Sequence, residues 1–389
     1  MNNLCTDTSY SRLNKYGEQL CGDHIEIVTQ DEDSLIMVLA DGLGSGVKAS
    51  ILSTLTSKII STMMAHSMSI EDCVSTIAST LPVCEKRGIA YSTFTIVRVV
   101  NNSEAEIIQY DNPHVIMLRN GKNYDYEKTI LAVGDKQIYR SKLKLHLNDL
   151  FILMSDGAVY AGVGRKLNYG WQRENIISFM EKLYKSSYTA KIFASLLTDE
   201  CYRLYEGRPG DDTSVGIIQI RKKQPVNLMI GPPADPQDVS RMMALFFAED
   251  GKHIVCGGTT SKLAAEYLKK ELITKIEYMD REIPPTAKIE GVDLVTEGVV
   301  TMNRVLRNAQ NYIINNLDDD WSYKKDGASL ISILLFEEST DINFYVGKAI
   351  NPAHQNPDLP VNLNIKMLIV DELVQCLKKM GKRTNVHYF

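Results

Sequence analysis

Four aspartates are the residues of this chain best placed to do chemistry. Asp41 and Asp156 each end an apolar run and precede a glycine, whereas Asp23 and Asp211 each follow a glycine. A ligand set made only of oxygen atoms selects hard ions, Mg²⁺ or Mn²⁺, over zinc or copper. An Asp-Gly pair alone is weak evidence, because most such pairs are only turns. The prediction of a metal site therefore depends on whether the acids meet.

A predicted hairpin brings the first two acids together. Residues 24–30 and 35–40 read as strands separated by a polar turn. If the hairpin folds about Glu32, Asp23 faces Asp41 across the open end. Like charges this close are unfavourable unless a cation or a proton lies between them. The hairpin is therefore the first argument for metal.

A second predicted pairing concerns the other two acids. An antiparallel pairing of residues 150–155 with 213–219 would bring Asp156 and Asp211 together, as the first hairpin does for its acids. Four acids at strand ends fit one site at the edge of a β-sandwich. Two bound ions there would activate a water as nucleophile and stabilise charge on a phosphoryl group. No His, Cys or Ser is placed as an alternative nucleophile.

The rest of the first half predicts helices and a β-meander. The patterns favour helices over 47–65, 70–81, 172–184 and 189–205, and strands over 90–100, 104–110 and 115–118, with a hairpin at Asn120-Gly121. The first helix is expected to pack on a sheet through an apolar face with a four-residue spacing, which consists of Val47, Ile51, Leu55, Ile59 and Met63.

Composition sets broad limits on function. The chain has 389 residues, of which 44% are hydrophobic and 23% charged, and this favours two soluble globular domains. Its net charge of −5 gives no electrostatic reason to expect nucleic acid as a partner, and no apolar run is long enough to span a membrane. The N-terminus lacks the pattern of a signal peptide. The seven scattered cysteines form no Cys-x-x-Cys pair, so a cytoplasmic protein without structural zinc or disulfides is expected.

The ordered motifs resemble those of a known family. The chain resembles the SpoIIE-like branch of the metal-dependent protein phosphatases (the PPM or PP2C family) across residues 1 to about 220. Each motif is weak, but their order and spacing are specific. They are Cys21-Gly22-Asp23, Ala40-Asp41-Gly42-Leu43-Gly44-Ser45-Gly46, Asp111-Asn112-Pro113-His114, Ser155-Asp156-Gly157 and Gly210-Asp211-Asp212-Thr213.

The resemblance implies a fold and a set of ligands. The fold would be α+β, a PP2C-like β-sandwich flanked by antiparallel helices. Asp41 would bridge two Mn²⁺ or Mg²⁺ ions. Asp156 and Asp211 would complete the first ion's ligands. Asp23 and the carbonyl of Gly42 would hold the second. The activity implied is a serine/threonine protein phosphatase acting on a phosphorylated protein.

Some positions depart from the family pattern. Asp212 replaces a common asparagine, and it could hold a ligand water or help to bind a third ion. The turn 111–114 lacks the usual glycine before the histidine, so we interpret it as structural. No arginine matches the phosphate-binding one of eukaryotic relatives. Arg87 and Arg208 are conceivable replacements, but the more economical interpretation makes both solvated surface charges.

The resemblance also suggests a switch. In the SpoIIE-like branch the helices equivalent to 47–65 complete the metal site. The glycine-rich segment Gly44-Ser45-Gly46 would couple the position of this helix to Asp41. We therefore expect the segment to act as a hinge.

The second half reads as a separate α/β domain with a largely parallel sheet. The predicted boundaries are 1–220 for the first domain, 221–225 for a linker and 226–389 for the second domain. Predicted strands cover 226–230, 253–256, 275–279, 292–298, 329–336 and 341–347, and predicted helices cover 236–249, 262–272, 299–315 and 365–380.

One loop of this domain could bind an anion. Gly257-Gly258-Thr259-Thr260-Ser261 lies between a strand and a helix, where free N–H groups suit phosphate, and Glu297 could line the same crevice. The alternative is an ordinary turn with Thr/Ser caps. The domain also resembles the C-terminal part of clostridial SpoIIE-like proteins associated with iron-hydrogenase gene clusters. A small anionic ligand or a partner protein, linked to hydrogenase regulation, would then bind here.

Three functions remain open from the sequence. The leading one is the metal-dependent phosphatase, regulated by its second domain. The second is a phosphatase-like scaffold that has lost activity and serves as a binding module. The third makes residues 226–389 a second enzyme acting on a phosphorylated metabolite. The oligomeric state is open, with a homodimer as the candidate.

Overall fold

The computed structural model describes residues 3–80, 92–133, 136–274, 282–314, 320–349 and 365–389. The chain divides into two compact units, Met1–Lys222 and Lys223–Phe389. The linker predicted over 221–225 is shorter in the structure, because its first two residues end one strand and Pro225 begins the next.

The first unit contains two antiparallel sheets. One has the strand order β1-β11-β10-β6-β7 and the other β2-β3-β4-β5-β9-β8. The strands are β1 (Leu4–Leu13), β2 (Asp23–Thr29), β3 (Leu35–Gly42), β4 (Ser92–Val100), β5 (Glu104–Tyr110), β6 (Ile116–Arg119), β7 (Lys122–Asn123), β8 (Thr129–Val133), β9 (Lys136–Lys144), β10 (Asp149–Met154) and β11 (Thr213–Lys222).

Helices cover the outer faces of both sheets. α1 and α2 pack on the β2–β5 sheet, while α4 and α5 pack on the sheet that contains β10 and β11. This arrangement of helices around two sheets confirms the predicted fold class. The helices are α1 (Gly46–Ala65), α2 (Ile70–Thr80), α3 (Asp156–Val159), α4 (Arg173–Leu183) and α5 (Ala190–Leu204).

Strand β3 explains why its sequence is apolar without alternation. Ile36 and Val38 join the core under the helices, whereas Met37 and Leu39 join the core between the sheets. Both faces of the strand are therefore buried. Because side chains alternate along a strand, Asp41 continues the row of Met37 and Leu39 and faces the space between the sheets.

The predicted packing face of α1 is wrong in its first half. Val47 is 60% exposed and Ile51 is 53% exposed, while Ala49 and Ile60 are fully buried. The helix start lies so close to the hairpin that a Cβ at Gly42 would be 2.2 Å from the Ala49 carbonyl oxygen. Only small side chains fit such an approach, so small residues face the sheet here. Leu55 is also exposed, whereas Ile59 and Met63 are partly buried against the core as predicted.

The second unit contains a mostly parallel sheet of order β14-β15-β16-β13-β12-β17-β18. The five strands from β16 to β18 are parallel to their neighbours. They are joined at one edge by a short antiparallel pair. The strands are β12 (Pro225–Ile230), β13 (Lys252–Cys256), β14 (Ile273–Thr274), β15 (Ala287–Lys288), β16 (Leu294–Thr296), β17 (Asp341–Val346) and β18 (Arg383–Tyr388).

Helices of the second unit pack on this sheet and form two hydrophobic clusters with it. A 3₁₀ turn at Pro236–Asp238 leads into the first of these helices, and another lies at Asp320–Tyr323. The α-helices are α6 (Val239–Ala248), α7 (Gly258–Leu268), α8 (Val299–Ile314), α9 (Gly327–Ser332) and α10 (Ile365–Lys379).

One predicted strand of this unit is wrong. Residues 329–336 are helical, since α9 continues into a π-helical segment, Ile333–Glu338. Asp326 starts the helix, because its Oδ1 accepts hydrogen bonds from the N–H groups of Ala328 and Ser329. An apolar run without alternation is compatible with a buried helix as well as with a strand. The N-cap at Asp326 favours the helix here. The strand predicted over 275–279 lies outside the described residues.

Within the described ranges, no helix combines the length and apolar character needed to cross a membrane.

Candidate metal site

The hairpin β2–β3 places Asp23 directly opposite Asp41, as its predicted register requires. Two hydrogen bonds to backbone carbonyls hold the open end of this hairpin. The N–H of Gly42 donates to the carbonyl of Gly22 at 3.2 Å, and the hydroxyl of Ser92 donates to the carbonyl of Asp41 at 2.8 Å. The first two acids are therefore positioned by ladder geometry.

The other two acids come from β10 and β11, which pair antiparallel as predicted. Asp156 is the first residue of α3 and is separated from the end of β10 by Ser155, while Asp211 precedes β11. The ladder extends by one contact, because the N–H of Ser155 donates to the carbonyl of Ser214 at 3.0 Å. The two ends that carry the acids are thus fastened together.

The carboxylates act on one another electrostatically. Burial raises the pKa of Asp41, and the charges of Asp23, Asp156, Asp211 and Asp212 raise it further. Burial also raises the pKa of Asp156, with a further contribution from Asp211. The structure therefore assembles all of the predicted acids in one region that disfavours their combined negative charge.

Asp23 is the most deeply buried of these acids. Asp23 is 2% exposed, and neither of its carboxylate oxygens makes a hydrogen bond within the described residues. Burial raises its pKa, while the nearby hydroxyls of Ser155 and Ser214 oppose that rise without reaching hydrogen-bond geometry. Ser155 belongs to one of the predicted motifs and Ser214 directly follows another, but the sequence did not indicate that either would lie beside Asp23. A buried carboxylate left without partners is costly, and a cation would compensate it.

The adjacent acids Asp211 and Asp212 have different environments. The side chain of Asp211 is 48% exposed, with Lys15 Nζ at 3.8 Å. Asp212 is 4% exposed, and its Oδ1 accepts a hydrogen bond from the Lys15 N–H at 3.0 Å. Its Oδ2 is buried and has no hydrogen-bond partner in the described part of the chain, and a Cβ at Gly22 would lie 2.8 Å from it. Nothing in the sequence marked Lys15 as a neighbour of the site.

The donor chemistry of these residues fits a hard divalent cation. All side-chain ligands offered are carboxylate oxygens. Three of those oxygens, from Asp23 and Asp212, are buried and make no hydrogen bond to any described residue. In the described part of the chain, however, no three His, Cys, Asp or Glu side chains are grouped closely enough to hold an ion. The acids therefore face a common region without converging on a single point.

The turn at 111–114 supports the hairpin rather than supplying a ligand. The hydroxyl of Thr93, which faces Asp41 across the β3–β4 ladder, donates to Asn112 Oδ1 at 2.6 Å. His114 packs edge-on against Tyr139, and burial lowers its pKa. This placement agrees with a structural role.

The two arginines considered for phosphate binding gain no support. Arg208 is an exposed residue whose guanidinium lies 5.3 Å from the centre of the Tyr16 ring. Arg87 lies outside the described residues.

The predicted hinge has two backbone positions that favour glycine. Gly44 and Gly46 have φ angles of +96° and +72°, which favour glycine. Ser45 is the N-cap residue of α1, but its hydroxyl donates to Glu18 Oε1 at 3.3 Å rather than capping the helix. Glu18, which sequence reasoning missed, therefore contacts the segment between Asp41 and α1.

The predicted anion loop of the second unit differs from its expected form. Four of its residues lie in the first turn of α7, which begins at Gly258 rather than at 262. The N-cap Gly257 has φ +108° and gives no side-chain cap, so the predicted Thr/Ser caps are wrong, while an ordinary turn stays an alternative to the anion site. Thr260 is buried, and the hydroxyl of Ser261 donates to the Gly257 carbonyl at 2.8 Å. Thr259 is exposed at the helix start.

Glu297 lies beside this loop. A Cβ on the next residue, Gly298, would lie 3.3 Å from the Cα of Gly257, so the two strand-to-helix turns touch. The Glu297 Oε2 atom is buried without a partner in the described residues. A carboxylate at this position disfavours a second negative charge, so the anion site stays a prediction.

Comparison with known proteins identifies the class of the first unit. Residues 31–221 match the family described as Stage II sporulation protein E (SpoIIE). These residues, which lie within the first unit, therefore form a SpoIIE-like region. None of the curated proteins matches the chain.

Several solved structures are similar in fold. The PP2C phosphatase domain with a regulatory fragment of SpoIIE from Bacillus subtilis has a TM-score of 0.48 and 21% identity, over 57% of this chain and 65% of that one. RsbX in complex with magnesium gives 0.40 and 18%, over 55% and 95%. The catalytic domain of PstP in complex with two manganese ions gives 0.39 and 13%, over 56% and 99%.

Proposed function

We propose that this protein is a Mn²⁺- or Mg²⁺-dependent phosphatase that hydrolyses phosphoserine and phosphothreonine in a protein substrate. The observation that carries the proposal is the assembly of carboxylates around Asp41, in which both oxygens of the buried Asp23, directly opposite, lack a hydrogen-bond partner among the described residues. The match of residues 31–221 to the SpoIIE family supports the same reaction.

The chain's own residues would share the work as follows. Asp41, Asp156 and Asp211 would hold one ion, while Asp23 and the Gly42 carbonyl would hold a second one with Asp41. Asp212 would hold a ligand water or help to bind a third ion, since its Oδ2 is buried without a partner among the described residues. Bound ions supply an activated water and neutralise the phosphoryl charge. The hairpin and the β10–β11 ladder keep the acids in place.

The test is hydrolysis of a phosphoserine peptide by the full chain, with Mn²⁺ and with a chelator. We expect activity only with metal, and the Asp156→Asn variant should lose about 100-fold or more, because a ligand charge is removed. Asp125→Asn is the matched control, since it removes the same charge from an exposed position of the same unit. Retained activity in Asp156→Asn would show that Asp156 is not a metal ligand.

The alternative is a phosphatase-like scaffold. If the wild-type chain bound Mn²⁺ but showed no metal-dependent hydrolysis of the phosphopeptides tested, we would interpret the protein as a scaffold and not as an enzyme.

We also propose that the segment Gly44-Ser45-Gly46 couples α1 to the site. Gly46→Ala would strain a backbone with φ +72° and place a Cβ 2.8 Å from Glu18 Oε2. We expect Mn²⁺ affinity to fall by about fivefold or more, the usual lower limit of such coupling. The control is Gly164→Ala, which also has a positive φ but open space around the added Cβ. Equal metal affinity and turnover in the two variants would argue against a hinge.

A further inference from the structure

The parallel sheet of the second unit has a topological switch point at β12. The chain moves from β12 to β13 and β16 on one side, and then returns to β17 and β18 on the other. In open α/β sheets, ligands bind outside the carboxyl ends of the strands at such a switch point. Here those loops begin at Gly231, after β12, and at Gly347, after β17.

These two loops contact each other and present carbonyl groups. The N–H of Gly347 donates to the Ile230 carbonyl at 3.0 Å, and the N–H of Ala349 donates to the Pro232 carbonyl at 3.2 Å. Pro232 and Pro233 have no N–H to offer. The N–H groups of Gly347 and Ala349 are thus already engaged, and the two prolines add none.

Lys366, on α10, supplies a donor at this edge. The residue is 7% exposed, and its Nζ donates to the Ala349 carbonyl at 3.2 Å. A Cβ at Gly231, which has φ +78°, would lie 2.2 Å from this Nζ. The ammonium therefore occupies the space that a side chain on the β12 loop would fill.

The charge of this lysine is not compensated by the described residues. Burial lowers the pKa of Lys366 to about 8, and no described carboxylate contributes to the shift. An ammonium has three N–H donors, and a buried charge is costly unless it is paired. A structural clamp between two loops would not need a charge, because a neutral donor could make the same contact to Ala349.

We propose that Lys366 anchors the anionic group of a small molecule, a phosphate or a carboxylate, at the switch point between β12 and β17. This site differs from the predicted loop at Gly257, which follows β13. It does not depend on the phosphatase reaction, because its readout is binding.

The experiment measures binding to the full-length protein. The two tryptophans are Trp171 and Trp321, and Trp321 is buried in the core of the second unit. In a Trp171→Phe background, fluorescence of Trp321 therefore follows thermal unfolding of that unit. Inorganic phosphate, AMP and malonate are titrated separately, so that phosphate and carboxylate ligands are distinguished.

We expect at least one probe to raise the unfolding temperature of the parent protein. Lys366→Met should weaken its binding by roughly 10- to 100-fold, which is the effect of losing a hydrogen bond to a charged group. Lys378→Met on the same helix is the control, because that lysine is exposed. Lys366→Gln keeps a polar side chain and serves if the methionine variant does not fold.

Three results would overturn the proposal. They are no stabilisation of the parent protein by any probe, an equal shift in the Lys366 variants, and a loss caused equally by Lys378→Met. Binding that survives Lys366→Met but is lost on Gly258→Pro would place the anion at α7 instead.

Discussion

Asp41→Asn is expected to reduce Mn²⁺-dependent hydrolysis of a phosphoserine peptide by about 10³-fold or more, while it stabilises the metal-free protein by about 1–2 kcal/mol. Both effects have the same cause. Asp41 lies where burial and four neighbouring acids oppose its charge. This arrangement lowers the stability of the folded protein when no metal is bound. The same negative charge favours binding of a metal cation.

The pH dependence of stability follows from the direction of the pKa shift. The pKa of Asp41 in the folded protein is raised above its ordinary value of 3.8. A carboxyl of this kind contributes stability that is fully present below its unfolded pKa and is lost as pH rises through its folded pKa. Between about pH 5 and about pH 8, the metal-free wild-type protein should therefore lose more stability than Asp41→Asn.

Urea unfolding in a Trp321→Phe background tests this, because Trp171 lies in the core of the first unit. Mn²⁺ should stabilise the wild type but not Asp41→Asn, and Asp125→Asn should behave like the wild type. A variant that is less stable than the wild type without metal would contradict the electrostatic argument. Unchanged stabilisation by Mn²⁺ would instead show that Asp41 is not a ligand.

The site could be predicted from sequence where ladder geometry is local. The short turn about Glu32 fixes the register of β2 and β3, so Asp23 opposite Asp41 follows from counting residues. The β10–β11 pairing was also predicted, because both strands are strongly apolar and acids follow β10 and precede β11. What could not be read is the difference between Asp211 and Asp212, which depends on Lys15, almost 200 residues away.

Edge strands and helix starts were harder to predict from the sequence. β1 and β18 were missed because polar residues interrupt their apolar pattern, and tertiary pairing with β11 and β17 supplies their stability. The start of α7 was placed too late, because Gly258 and the threonines after it favour loops by local propensity. In each case, long-range contacts outweighed the local signal.

Helix α1 gives the clearest conflict between pattern and packing, and a substitution pair separates the two. Ile60→Ala should lower the free energy of unfolding of the first unit by about 2–5 kcal/mol, because Ile60 is fully buried in the core with Ile36 and Val38. Ile51→Ala should change it by less than about 0.5 kcal/mol, because Ile51 is 53% exposed.

The same Trp171 fluorescence measures both variants, and each makes the same chemical change on the same helix. The sequence pattern alone places Ile51 inside and assigns Ile60 no packing role, so it predicts the opposite ranking. A larger loss for Ile51→Ala would show that α1 packs through its large apolar residues. In that orientation Ala49 could not approach Gly42, and the close contact that joins the helix to the Asp41 loop would be lost. The ranking of two stabilities thus tests whether α1 is positioned to influence the site at all.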